Sequence, residues 1–445
     1  MIQVRTQREV ERKYEASPDA ELPELPGAVD PRHETLDAVY YDTEDLRLIR
    51  GGLTLRRREG GADEGWHLKV PVGEDTRDEI HLPLDGSEEP PEQFADLTLG
   101  YTRGSALRPV ARITTERTIW EIDGAELTDD HVTATRPGAD PMVFREIEVE
   151  GDPDALDRTE EPLRSAGFER SSLPSKLARV LGTKATRVQP GKSAGQVVLA
   201  YAATQIEKIK YYDILVRQDV DDSVHQMRVA TRRLRSALRV YRKIVSSGDL
   251  DAELQWLGRE LSPARDLEVQ SARLTKAVSE LPVELVIGPV RARLVRYFSP
   301  AQAQARENVL RTLRDERYLR LLDKLDEWVT SPPFTEKASR KASKELPKHT
   351  SRAEDKVGTR LDAGEIHRAR KAAKRLRYGL EVHGSDKARK HAKAFTKLAG
   401  EYQDSVVALP LLRTLGMEGN GFTFGLLYGQ EQANAERIRA SLRWG

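Results

Sequence analysis

The sequence contains no cysteine. That absence removes disulfide frameworks, thiolate metal sites and cysteine nucleophiles from consideration. Aromatic residues make up only 6% of the chain, so the stacking platforms that single-stranded nucleic acid needs are thinly supplied, and a nucleic-acid partner is not expected. No apolar run reaches the ~20 residues of a membrane span, and the N-terminus lacks a signal-peptide core. The expectation is a cytoplasmic protein without a membrane partner. Net charge is missing too, since 72 Lys+Arg balance 72 Asp+Glu. The balance is a cancellation: residues 1–190 carry 25 basic and 40 acidic side chains, and residues 191–445 carry 47 and 32. Segregation from −15 to +15 points to two domains with different partners, the second partner anionic. At 445 residues the chain also exceeds what one core organises.

The acidic half reads as short strands separated by turns. In QVRTQREVERKYEAS, Val4, Thr6, Val10 and Tyr14 indicate an extended segment in which Glu9, Glu11 and Lys13 share one face. Two carboxylates roughly 7 Å apart followed by an ammonium suit Mg²⁺ or Mn²⁺ and a phosphate that the metal also touches. Taken alone, a solvated strand edge explains the same pattern. Further strands follow at AVYYDT (38–43), LTLRRRE (53–59), GWHLKVP (65–71), TRDEIHLPL (76–84), PVARITTERTIWEI (109–122), AELTDDHVTAT (125–135) and FREIEVEG (144–151). Each places charge on one face and apolar residues on the other. Closing such strands into a barrel turns the apolar face outward against covering helices and lets the charged face line a lumen. The acidic clusters at Glu9/Glu11 and Glu146/Glu148/Glu150 then become neighbours across the first and last strands, with Arg56, Arg58, Lys69 and Arg117 completing the lining. Arg112, five residues before Arg117, faces the other side of a regular strand unless a bulge intervenes.

The series ExExK, YYDT, LRRR, GWHLKVP, an Arg-bearing strand and EIEVE resembles the CYTH family, the triphosphate tunnel metalloenzymes, over about residues 2–180. The resemblance implies an eight-stranded antiparallel tunnel that cleaves or rearranges triphosphates with Mg²⁺ or Mn²⁺. It implies Glu9, Glu11, Glu146 and Glu148 as metal ligands. Lys13, Arg56, Arg58, Lys69 and Arg117 would hold the triphosphate, with Lys176 of SKLAR a further contact. Glu79 accompanies Arg77 as an orienting group, Glu150 is a ligand or a rim residue, and Asp130 is a base behind the ligands or a turn residue. His67 is expected to be structural or exposed.

The polar stretch 182–195 reads as a linker between domains 1–181 and 196–445. Helical periodicity then takes over at about 195–218, 222–246, 250–262, 264–280, 285–330, 334–347, 363–383, 386–402, 404–416 and 421–442, with Pro263, Pro282 and Pro332-Pro333 as breaks. HQMRVATRRLRSAL from His225 and HRARKAAKRLRYGL from His367 share H-x-x-R-x-x-x-[RK]-R-L-R-x-x-L. On a helix, His225, Arg228, Arg232, Arg235 and Arg239 form one basic stripe, and His367, Arg370, Lys374 and Arg377 form its counterpart until Glu381 stands where Arg239 would be. LSPARDLEV (261–269) and LAGEYQDSVVAL (398–409) add a second repeated feature, an Asp near the start of an apolar run.

This half resembles the CHAD family (conserved histidine, α-helical) over residues 195–442. The resemblance implies an α+β multidomain chain ending in two four-helix bundles related by a pseudo-twofold, with a basic channel for inorganic polyphosphate. Phosphate contacts are implied at His225, Arg228, Arg232, Arg235, His367, Arg370, Lys374 and Arg377, with Arg239, Arg233 and Arg375 as further candidates. Together the readings describe a metal-dependent triphosphatase acting on tripolyphosphate or a related triphosphate, tethered to polyphosphate and associated with polyphosphate granules. A tunnel-type adenylate cyclase and a non-catalytic polyphosphate scaffold use the same groups and remain alternatives.

Overall fold

The computed structural model describes residues 5–17, 19–25, 27–185, 187–384, 386–417 and 421–444. Val4 and Thr186, assigned above to the first strand and the linker, lie outside them. The chain forms two compact units, Met1–Arg187 and Val188–Gly445. The division falls inside the stretch read as linker, because Lys184 and Arg187 bond to the carbonyls of Ser172 and Gly73 within the first unit.

Unit one contains β1 (Arg5–Ala16), β2 (Arg32–Asp42), β3 (Thr54–Glu59), β4 (Gly65–Pro71), β5 (Thr76–Leu82), β6 (Arg108–Ile122), β7 (Ala125–Thr135), β8 (Met142–Gly151) and the two-residue β9 (Glu169–Arg170). Its helices are α1 (Arg47–Arg50), α2 (Glu92–Leu97), α3 (Leu99–Thr102), α4 (Pro153–Ser165) and α5 (Lys176–Leu181). The antiparallel order β5-β4-β3-β2-β6-β7-β8-β1 is closed by pairing of β5 with β1, and β9 adds to β1. Eight strands thus make a barrel. Closure leaves no long free edge and fixes which strand faces point inward. On the outer wall Tyr14, Ile122, Leu127, Ile147 and Val149 pack with Leu156 and Leu163 of α4.

Register carries the alternation around the wall. Lys13 lies opposite Glu148, Glu11 opposite Glu150, Arg117 opposite Asp130, and Lys69 opposite Glu79. Ala38, Tyr40, Ile113, Val132 and Ala134 belong to the same inward faces but are apolar, and Leu177, Ala178 and Val180 of α5 pack on them. One end of the lumen is therefore capped by a short helix, which the sequence did not announce. The YYDT motif also acquires a reason. The carboxylate of fully buried Asp42 accepts hydrogen bonds from the backbone N–H groups of Thr43, Leu48 and Ile49 at 2.7, 2.9 and 3.0 Å.

Unit two contains ten α-helices among the described residues: α6 (Ala194–Arg217), α7 (Ser223–Val240), α8 (Leu250–Glu260), α9 (Ser262–Ser279), α10 (Val290–Arg314), α11 (Glu316–Thr330), α12 (Ala342–Asp362), α13 (Ile366–His383), α14 (Asp386–Met417) and α15 (Phe422–Ser441). Three expectations change. The segment 285–330 is two helices, because Asp315 leaves helical geometry and caps α11 by accepting from the Arg317 N–H. The helix expected at 334–347 runs instead over Ala342–Asp362, with Pro347 inside its first turns. The segments 386–402 and 404–416 are one continuous helix. In the first repeat, by contrast, Pro263 sits in the first turn of α9 and separates it from α8.

Bundle cores form from α6, α7, α8 and α11, through Ile206, Leu234, Leu254 and Leu325, and from α12–α15, through Val357, Leu376, Phe395 and Ile438. A further cluster joins α9 and α10 to the C-terminal half of α14 and to α15, through Leu274, Phe298, Leu412 and Phe424. The two repeat helices meet where Tyr241 Oη donates to the Gly379 carbonyl at 2.7 Å. Gly379 permits that approach, since a Cβ there would lie 3.2 Å from both Val240 methyl groups.

The Asp42 turn gives a stability prediction. Asp42→Ala strips three backbone donors of their acceptor, and each buried orphan costs about 1–3 kcal/mol. We expect the urea midpoint of the first unit to fall by an amount corresponding to about 3 kcal/mol, with Asp42→Asn recovering part of it. An unchanged midpoint for Asp42→Ala would remove the turn from the determinants of the barrel.

Candidate active site and polyanion surface

Glu9, Glu11, Lys13, Arg56, Arg58, Lys69, Arg117, Glu146 and Glu148 lie on inward strand faces, and Lys176 reaches the same lumen from α5. Lys69 on β4 reaches Glu9 on β1 at 2.6 Å, and Glu79 on β5 lies 3.9 Å from the same ammonium. Glu79 also accepts from His67 Nδ1 at 2.9 Å and lies 3.8 Å from Arg56. The second group gathers at β1, β7, β8 and α5. Lys13 pairs with Glu11 at 3.2 Å and with Glu148. Lys176, projected inward by the first turn of α5, meets Glu148, Asp130 and Glu146 at 2.6, 2.8 and 3.0 Å. Arg117 makes a two-point contact with Asp130 at 2.6 and 2.7 Å and reaches Glu148 at 3.3 Å. Arg58 turns to Asp63, whose carbonyl it meets at 3.1 Å.

The undecided residues fall into place. Arg112 lies on the outer wall and pairs with Asp37, so no bulge brings it inside. Asp130 is fully buried in the lumen, where it fixes Arg117 and Lys176. Half-buried Glu150 lies opposite Glu11 in the register. His67 is buried on the inward face, its Nε2 2.9 Å from the Asp63 carbonyl. Arg77 and Glu79 share a face but not a partner, because Arg77 binds Glu11 and the Pro174 carbonyl. The roles of Arg77 and His67 escaped the sequence, whose only signal was their inward parity.

Crowding separates the carboxylates electrostatically. Burial alone would raise Glu11, but Lys13, Lys69 and Arg77 hold it down at about 2. Burial and the Glu79 carboxylate push Glu9 up to about 8 against the pull of Lys69. Glu148 resists burial through Lys13, Lys176 and Arg117 and lies well below the usual range, whereas burial wins at Glu146 and raises it. Burial and neighbouring Arg56 lower Arg58 to about 9.

No three acidic or histidine side chains among the described residues already converge as a metal site. The donor set nevertheless fits a hard divalent cation. Glu146 is fully buried and neither of its oxygens accepts a hydrogen bond, Lys176 lying 3.0 Å away but off the bonding direction. Its neighbours Glu148, Glu11 and Glu9 are carboxylates occupied by ammonium and guanidinium groups that a cation can displace.

In unit two the expected single stripe divides. Arg228 bonds Ser262 Oγ at 2.9 Å and lies 3.5 Å from Asp266. The Arg232 and Arg377 guanidinium groups sit over the Tyr378 ring at 5.7 and 4.5 Å. Arg370, Lys374, Arg377 and Asp404 line a cleft of about 380 Å³. The Nε atoms of Arg232, Arg370 and Arg377 are buried without a hydrogen-bond partner, that of Arg377 lying 3.8 Å from the Glu381 carboxylate. Arg235 and Arg239 leave this cluster and converge on Asp251, at 2.9 and 2.6 Å. Arg233 pairs with Glu381 at 3.0 Å. Half-buried His225 is lowered by burial and by Arg265, and exposed His367 pairs with Gln403 at 2.8 Å. The two histidines thus border the cluster.

Lys374 is lowered to about 7 by burial and then by Arg232, Arg370 and Arg377, with Asp404 opposing. Below that value it is an ammonium; above it, an amine that an anion would have to reprotonate. Any linear polyanion held by this cluster should therefore bind about tenfold more weakly at about pH 8.5 than at about pH 6.5, measured by calorimetry with polyphosphate as the probe. Lys374→Met should flatten that profile, and a flat profile in the parent would contradict the assignment.

Residues 7–180 match the family model described as CYTH domain, and residues 200–413 match that described as CHAD domain. Two uncharacterised proteins of Mycobacterium tuberculosis, MT2285 and Rv2226, are each 36% identical over 485 aligned residues, covering 98% of this chain and 94% of theirs. Among solved structures, PptA from Streptomyces chartreusis is 16% identical, covering 56% of this chain and 98% of its own, with a TM-score of 0.49. The CHAD domain from the plant Ricinus communis is 23% identical, covering 58% and 97%, with a TM-score of 0.44. The chain accordingly belongs to the CYTH family through its first unit and to the CHAD family through its second.

Proposed function

We propose that the tunnel is a divalent-metal-dependent triphosphatase for tripolyphosphate or a related triphosphate, and that the helical domain binds inorganic polyphosphate. The observation that carries the reading is the lumen itself: Lys13, Arg56, Arg58, Lys69, Arg117 and Lys176 surround Glu9, Glu11, Glu146 and Glu148 inside a closed barrel. Those four carboxylates would hold Mg²⁺ or Mn²⁺, which when bound neutralises phosphate oxygens and polarises the phosphorus under attack. The cations clamp the triphosphate from opposite walls, Arg56, Arg58 and Lys69 on one side and Lys13, Arg117 and Lys176 on the other. Asp130 positions Arg117 and Lys176, while Glu79 steadies Lys69 and His67. Water is the nucleophile, so no side-chain nucleophile is required. The apolar cap made by α5 favours a short chain or a chain end over a polymer threaded through the lumen.

Glu9→Gln and Glu148→Gln should each lower metal-dependent phosphate release by about 100-fold or more in a chain that is still folded at the assay temperature. Full activity in both variants would overturn the tunnel mechanism. Residues 1–187, which contain every proposed ligand and form a compact unit, should hydrolyse tripolyphosphate alone. Products identified after incubation with Mg²⁺ and either tripolyphosphate or ATP test the reaction type: orthophosphate supports hydrolysis, and cyclic AMP with pyrophosphate would replace it with cyclisation.

A further inference from the structure

The repeat extends past the histidine-bearing helices, and there its halves stop being equivalent. Aligning Asp266 with Asp404 sets Asp251, Gln255 and Arg259 of α8 against Arg389, Lys393 and Lys397 of α14. The same symmetry sets Arg235 against Arg377 and Arg239 against Glu381. In the first repeat Asp251 occupies Arg235 and Arg239, and Gln255 takes a further Arg235 donor. That flank is closed by an internal counterion.

In the second repeat the acid is replaced by a base. Arg389, Lys393 and Lys397 recur every four residues, hence along one face of α14. Arg389 is tied to Asp386 at 2.7 Å. Lys393 and Lys397 are exposed, form no ion pair among the described residues and line the same cleft as Arg370, Lys374 and Arg377. Among the described residues the acids lining the cleft are Glu401 and Asp404, at its far end. From Lys393 to Asp404 the helix rises roughly 16 Å, more than three linked phosphates span.

We propose that Lys393 and Lys397 extend the polyanion site in one direction, from the cluster between α7 and α13 out along α14, while Asp251 blocks the equivalent exit along α8. The ligand is a linear phosphoanhydride chain long enough to occupy both segments. The proposal rests on the polyphosphate-binding reading and adds a path and a polarity to it. Binding to the central cluster engages Arg232, Arg370 and Arg377, whose Nε atoms find no hydrogen-bond partner among the described residues. Each further phosphate then meets the two lysines rather than solvent, so affinity grows with length on this side only.

The test uses the full-length chain and polyphosphate of about 100 units at about 0.15 M salt, because counterion release makes affinities at other ionic strengths incomparable. Lys393→Glu/Lys397→Glu should weaken binding about tenfold. The control Lys276→Glu/Arg320→Glu makes the same charge change at exposed positions outside the cleft, and should cost less than about twofold. Asp251→Asn should tighten binding about threefold by freeing Arg235 and Arg239. Equal losses in the two double variants would overturn the path and leave the polyphosphate reading standing. Unchanged affinity in Asp251→Asn would overturn the block. A parent that binds no long chain at all would remove the reading on which both depend.

Discussion

The tunnel depends on compensation of charge in a space that water enters poorly. An isolated buried ion is prohibitively costly, and a buried pair is tolerated only when each charge is well met. Here Glu148 is met by Lys13, Lys176 and Arg117, and Asp130 by Arg117 and Lys176. Removing one partner leaves its neighbours uncompensated, so the lumen behaves as one electrostatic unit. The same arrangement prepares it for a metal and a polyanion. Their charges can replace the internal partners in kind, a cation for the ammonium groups at the carboxylates and phosphate oxygens for the carboxylates at the lysines and arginines.

The helical unit handles like charge differently. Arg232, Arg370, Lys374 and Arg377 crowd without enough acids, and relief comes from partial exposure, from the Tyr378 ring and from the lowered Lys374. A surface held in that state gains from any anion that arrives. Where relief is internal, at Asp251, the gain is already spent. The divergence between α8 and α14 is thus a difference in where the counterion comes from, protein on one side and ligand on the other.

Much of the first unit was legible because β periodicity is short and closure preserves it. Strand parity placed Glu9, Glu11, Lys13, Arg56, Arg58, Lys69, Glu146 and Glu148 on inward faces, and the closed sheet put them there. Parity could not rank Arg112 against Arg117, and it was the partner strands, carrying Asp37 outside and Asp130 inside, that separated them. The α5 cap was hidden because its apolar residues read like any short helix. Helix limits failed for a local reason: Pro347 reads as a helix end, yet it lies inside α12, five residues past its start, and the helix continues through it.

By itself the sequence determined two halves of different composition, strands with charge on one face and the repeated basic helices. These follow from alternation, composition and an internal repeat that need no knowledge of distant contacts, whereas closure of the barrel was only the economical arrangement and the one the family resemblance implied. Only the tertiary structure decided which charges meet. The stripe from His225 to Arg239 is continuous on a helical wheel, yet Asp251, donated by the next helix, divides it. Lys393 and Lys397 carry no motif and join the cleft only because α14 packs beside α13. A side chain's face is set by its own segment's period, whereas its counterion is set by whatever the fold brings opposite.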